Sequence, residues 1–238
     1  MKTSARYAIY YAPPADDPLW ALGSEWLGRD AYTGENLTRP DYPNFAIGDM
    51  DRLTSSPAHY GFHATMKAPF ELKAGETEAT LLDRLEAFSR SQSAFDVDLA
   101  VKPLGQFLAL QLTSNVEAMR ALHEACVKDF DRFRAPITQS DIERRRKANL
   151  SSEQDARLLE WGYPYIFDEF RWHMTLSSRI VSDNTRDKML SLLTEHFSCV
   201  IAKPHKVDGI AVYRQVDRCA PFNIIERAVF PALAEQPA

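Results

Sequence analysis

Three kinds of feature are scarce in this 238-residue chain, and each absence narrows what it does. Cysteine occurs three times, at Cys126, Cys199 and Cys219, with no CxxC spacing. An odd, scattered set excludes a disulfide framework or a zinc knuckle and fits a reducing cytoplasm. Long apolar runs are missing, so neither a signal peptide nor a spanning helix is expected, and no membrane partner. Positive charge is not in excess either. The formal net charge is −5, so no overall field draws the protein to polynucleotides or anionic lipid. A local basic pocket remains compatible with that balance.

What is present is the composition of an ordinary globular protein, with 45% hydrophobic and 26% charged residues. Two stretches stand out. In Phe62-His63-Ala64-Thr65-Met66-Lys67, alternation along a strand puts Phe62, Ala64 and Met66 on one face and His63, Thr65 and Lys67 on the other. In Arg171-Trp172-His173-Met174-Thr175-Leu176-Ser177, Trp172, Met174 and Leu176 oppose Arg171, His173, Thr175 and Ser177. Each stretch pairs an apolar face with a proton carrier, hydroxyls and a cation.

Around them the pattern predicts strands over 6–12, 95–101, 107–113, 199–202, 207–215 and 223–230, and helices over 16–27, 79–91, 115–130 and 183–197. Residues 33–57 read as a long loop with a short turn at 47–53, and Pro69 as the stop of the first histidine strand. Residues 134–168 read as a helical connector overhanging the site, with a Ser151/Gln154 capping box and Gly162 at a helix end. The tail after Pro231 reads as frayed. The order HxT strand, helix, strand, turn, strand occurs twice, which implies a duplicated α+β unit. The expected architecture is one bilobal domain of two pseudo-symmetric lobes, 1–133 and 169–238, each an antiparallel or mixed sheet packed on helices, with their bare faces opposed across a central cleft and exchange of strands between the lobes as an open alternative.

Two histidines facing one phosphate suit acid–base catalysis, since imidazole titrates near neutrality. Threonine hydroxyls and the cations Lys67 and Arg171 would hold anionic oxygen. Tyr7 enters as a candidate because its strand begins the first unit, and Ser177 because it shares a face with His173. His59 and His63 have the spacing of a helical metal pair, but Pro57 and Gly61 argue against a helix there, so no metal or other cofactor is expected. Arg144, Arg145 and Arg146 read as a solvated helix face, with a lid role as the alternative.

Paired HxTx strands in a duplicated chain resemble the two-histidine (2H) phosphoesterase superfamily. The carrying residues are His63-Ala64-Thr65-Met66 and His173-Met174-Thr175-Leu176. The stretches Tyr60-Gly61-Phe62, Ala68-Pro69-Phe70, Trp161-Gly162-Tyr163-Pro164-Tyr165 and Phe170-Arg171-Trp172 resemble more closely an uncharacterised branch of it found in phosphonate operons. The resemblance implies His63, Thr65, His173 and Thr175 as the catalytic set. It also implies a cyclic-phosphate diesterase; analogy with phosphonate breakdown by carbon–phosphorus lyase, and not the residues, makes a ribosyl 1,2-cyclic phosphate the expected small phosphate-ester substrate. The rivals are RNA 2′,3′-cyclic phosphodiesterase or 2′-5′ ligase-like activity and a non-catalytic nucleotide-binding module. The acidic balance disfavours broad nucleic-acid binding.

Overall fold

The computed structural model describes residues 5–42 and 44–231; the predicted frayed end, 232–238, lies outside them. Its centre is a seven-stranded antiparallel sheet in the order β4-β5-β6-β2-β1-β8-β9. In chain order the strands are β1 (Arg6–Tyr11), β2 (Ala64–Glu71), β3 (Phe95–Val97), β4 (Leu99–Leu104), β5 (Phe107–Leu112), β6 (His173–Thr175), β7 (His205–Val207), β8 (Gly209–Gln215) and β9 (Asn223–Val229). β3 and β7 form a separate two-stranded pair. The helices are α1 (Pro18–Leu27), α2 (Ile47–Tyr60), α3 (Glu78–Ser89), α4 (Val116–Phe130), α5 (Gln139–Arg146), α6 (Ser152–Trp161), α7 (Asp183–His196) and the short α8 (Ser198–Ile201).

The class is α+β, and the repeated order is present: β2-α3-β3-β4-β5 in one half and β6-α7-β7-β8-β9 in the other. The halves do not stand face to face. They interleave. β6 of the second half pairs with β5 of the first, and β8 of the second pairs with β1. Helices follow the same exchange, α3 packing on β8 and β9, and α7 on β4 and β5. The two histidine strands become neighbours in mid-sheet instead of walls of an opposed cleft, because each completes the other half's hydrogen bonding.

Local chemistry explains most of the elements. Asp17 caps α1 by accepting from the Leu19 N–H at 2.7 Å, with Pro18 in the first turn. The Ser151–Gln154 capping box opens α6 and Gly162, in the left-handed region, closes it. Four expectations fail. The strands expected over 95–101 and 207–215 are each broken, at Asp98 and Asp208, into a piece of the small sheet and a piece of the large one. Residues 47–60 are a full helix with Pro57 inside it, not a loop with a brief turn. Residues 198–201 are a turn of helix continuing α7, because a four-residue apolar run carries no period to separate strand from helix. The first histidine strand runs through Pro69 to Glu71, and Pro69 sits in a register irregularity that spares the missing N–H.

A bulge in β2 decides one candidate. Tyr10 pairs with Thr65 and Ile9 with Lys67, so Met66 is an extra residue. Alternation therefore slips by one, and Lys67 turns to the helix-covered face. Its side chain is 4% exposed, and its ammonium donates to the Val127 carbonyl at 3.0 Å and to Asp131 at 2.9 Å. Against the cost of burial, Arg134 and Lys67 hold the Asp131 carboxyl below the usual carboxylate range. Removing Asp131 strands a buried cation. Asp131→Ala should lower stability by about 3 kcal/mol, the low end for breaking a buried pair since Asp131 is partly wet. Adding Lys67→Met should restore much of that loss in urea unfolding; no recovery would show that the pair is not the source of the cost.

Candidate active site

The cleft floor is built by one backbone pairing. Ala64 of β2 faces Met174 of β6 in antiparallel register. His63 therefore stands beside Thr175, and Thr65 beside His173. The four side chains share the sheet face opposite Met66 and Met174, both fully buried. Residues on this diagonal of an antiparallel pair are about 7–8 Å apart, a span that one tetrahedral anion with a hydrogen bond on each side would fill.

Both rings are held by the same local device. His63 Nδ1 lies 2.9 Å from the Gly61 carbonyl, and His173 Nδ1 lies 2.7 Å from the Arg171 carbonyl. A carbonyl only accepts, so each neutral ring carries its proton on Nδ1 and presents a lone pair at Nε2. Gly61 makes this possible for His63. It sits at φ 79° and ψ 174°, ends α2 by donating to Pro57 and Ala58, and a Cβ there would lie 2.6 Å from Ala31 Cβ. Thr65 Oγ1 is 3.4 Å from His63 Nε2. The Tyr10 ring stacks on His63 with centroids 3.9 Å apart, and Phe107 packs beside His173 at 5.7 Å.

Burial pushes His63 down to about 4; the Gly61 carbonyl works against this, and the nearby His173 adds to it. His173 is also lowered by burial, opposed by its Arg171 carbonyl. Both rings are thus neutral at pH 7 in the empty cleft. An anion between them would raise both.

The cleft has two connected parts. One, about 220 Å³, is lined by His63, Thr65, Thr175, Tyr10, Tyr60, Arg145 and Tyr163. The other, about 580 Å³, is lined by Thr65, His173, Arg171, Phe107, His123, Tyr163 and Phe170 among others. Thr65, Ala68 and Tyr163 border both. The structure therefore brings His63, Thr65, His173, Thr175 and Arg171 together, and Arg171 has no ion-pair partner among the described residues.

Three candidates lie elsewhere. Lys67 is turned away by the bulge, as described. Ser177 is buried, and its Oγ accepts from the Leu108 N–H at 2.9 Å. The strand ends at Thr175, so the alternation that put Ser177 beside His173 stops short of it. Tyr7 points to α3, its hydroxyl donating to Glu78 at 3.0 Å; burial and then Glu78 push the phenol up to about 12. His59 is not aimed at His63; its Nε2 accepts from the Gln215 amide at 3.0 Å. Among the described residues no cluster of three or more His, Cys, Asp or Glu could hold a metal.

Several cleft residues escaped the sequence reading. Arg145 lies over the Tyr163 ring, 4.6 Å from its centroid, while Arg144 pairs with Asp141 and Arg146 with Asp155. Nothing in three consecutive arginines tells which one faces inward. His123 is buried in α4 and stacks on Phe170 at 3.6 Å, with neither ring nitrogen in hydrogen-bond geometry. Tyr10 had a signal, its place in the aromatic run of β1.

Comparison with known proteins gives the chain a family. It is 35% identical to a Janthinobacterium sp. (strain Marseille) protein named ribose 1,5-bisphosphate phosphokinase PhnN, over 99% of this chain and 53% of that one. It is 32% identical to a Laribacter hongkongensis (strain HLHK9) protein of the same name, over 92% of this chain and 50% of that one. The chain spans about half the length of these curated relatives. Among solved structures it is similar to TT0787 of Thermus thermophilus, with 13% identity, TM-score 0.44 and coverage of 95% and 98%. It is likewise similar to E. coli LigT complexed with NADP+, with 12% identity, TM-score 0.41 and coverage of 96% and 99%. The family model described as "Protein of unknown function (DUF1045)" matches residues 65–223, which include Thr65, His173 and Thr175, and the chain belongs to that family.

Proposed function

We propose that the protein is a metal-independent phosphodiesterase of the two-histidine type that opens a cyclic phosphate. One observation carries this reading: two neutral imidazoles, each pinned at Nδ1 so that Nε2 keeps its lone pair, flank one gap together with two threonine hydroxyls, one of which, Thr65, lies 3.4 Å from His63 Nε2. One Nε2 takes the proton of a water attacking phosphorus. The other, protonated under the influence of the bound anion, donates to the ring oxygen as its P–O bond breaks. The rings end with their protonation states exchanged, and solvent resets them. Thr65 and Thr175 donate to the non-bridging oxygens.

A ribosyl 1,2-cyclic phosphate is the substrate this reading favours, in phosphonate catabolism in the cytoplasm. Breaking its P–O2 bond leaves the phosphate on C1. The curated relatives, about twice as long as this chain, are named for a kinase of ribose 1,5-bisphosphate, which also carries phosphate at C1. A second reading has its own support. The aromatic wall of Phe107, Tyr163, Tyr165 and Phe170 offers stacking surfaces for a base, which suits a 2′,3′-cyclic nucleotide end.

The test is a panel of ribosyl 1,2-cyclic phosphate, nucleoside 2′,3′-cyclic phosphates and 2′-5′ oligonucleotides. His63→Ala and His173→Ala should each reduce turnover at least about a hundredfold with the circular dichroism spectrum unchanged. Undiminished turnover in both removes the acid–base mechanism.

The pH dependence has a definite sign. Burial lowers both histidines from 6.5, so the singly protonated pair of the free enzyme is most populated below that value. The optimum of kcat/KM should lie below about pH 6.5, and that of kcat higher, because bound phosphate raises both rings. A kcat/KM that climbs without maximum to pH 9 would contradict this. EDTA should leave turnover unchanged; a restored requirement for added divalent metal would revive a metal mechanism.

A further inference from the structure

A third cavity opens beside the catalytic cleft, sharing Tyr60, Pro69 and Arg145 with its His63 end. Its volume is about 90 Å³, room for roughly three waters at ~30 Å³ each, the scale of one small oxyanion. Its lining is unlike the rest of this acidic chain. Five arginines, Arg6, Arg134, Arg144, Arg145 and Arg218, face two carboxylates, Glu71 and Asp141. Arg218 bridges both carboxylates at 3.0 Å, and Arg144 takes Asp141 at 2.7 Å. Arg134 is turned to Asp131 at 2.8 Å.

Two guanidinium groups are left without a carboxylate among the described residues. Arg6, half-buried, donates from Nε to the neutral Gln215 side chain at 2.7 Å. Arg145 rests on Tyr163. Burial, then the charges of Arg218 and Arg144, lower Arg6 from its ordinary value. A crowded set of like charges in a small concave site is what an anion relieves, and planar guanidinium forks match phosphate oxygens in pairs.

We infer that this cavity is an anion subsite holding a second, terminal phosphate of the same substrate, while the cyclic phosphate lies between His63 and His173. The assignment of that phosphate to the substrate rests on the cyclic-phosphate reading above. Arg145 borders both chambers and spans the two phosphates. The substrate class is then a sugar cyclic phosphate carrying a phosphomonoester at its far end. For a ribosyl 1,2-cyclic phosphate this means a phosphate on C5.

The experiment compares ribosyl 1,2-cyclic phosphate with and without the 5-phosphate. The wild-type protein should prefer the phosphorylated compound by at least about a hundredfold in kcat/KM, chiefly through KM. Arg6→Gln and Arg145→Gln should each shrink that preference by roughly tenfold or more, the scale of one lost charge-assisted hydrogen bond. Arg6→Lys should retain part of it. Equal kcat/KM for the two compounds overturns the subsite and leaves the diesterase reading intact. Calorimetry with ribose 5-phosphate gives an arm independent of turnover. Binding weakened at least tenfold by Arg6→Gln, with neither cyclic compound cleaved, keeps the anion site and discards the diesterase. Absence of ribose 5-phosphate binding, or binding indifferent to both arginine variants, overturns the proposal.

Discussion

The antiparallel pairing of Ala64 with Met174 is the constraint on which the candidate site depends. β6 is only three residues long and is held on one side by β5 and on the other by this contact. Its register is secured by burial: Met174 and Ala64 are wholly enclosed, so a one-residue slip would drive a histidine or threonine into the core and expose a methionine. That penalty on the hidden face aligns the visible one. The gap between two imidazoles is thus set by packing on the far side of the sheet.

Position alone does not make the rings useful. The carbonyl two residues upstream of each histidine selects the tautomer, and the enclosed cleft favours the neutral form. The backbone supplies the second partner that a carboxylate supplies in many histidine sites, without adding a negative charge to the cleft. The connector completes the environment. α5 carries Arg145 over Tyr163 at the border of two chambers, so cationic character is concentrated in a chain whose net charge is −5. Cavities focus such local fields.

The amino-acid sequence by itself determined which faces of the two histidine strands are buried and which are left to carry polar side chains. Alternation over Phe62–Met66 and Trp172–Leu176 separated core from cleft correctly, because each apolar face had one place to go. It also determined the repeat, the capping of α6 and the helical nature of the connector, the last two resting on interactions within a few residues. Pro57 and Gly61 misled the reading of α2, since a helix buttressed by its neighbours tolerates a proline that propensity alone rejects.

Tertiary structure decided the rest. Whether Lys67 follows His63 and Thr65 into the cleft depends on a bulge, and that bulge is visible only against β1. Ser177 and Tyr7 were assigned by face and by position, and their partners, Leu108 and Glu78, lie 69 and 71 residues away in the chain. Which arginine of three turns inward, and which half's hairpin each histidine strand joins, are equally non-local. Local pattern says which residues need burial; only the closed sheet says what stands beside them.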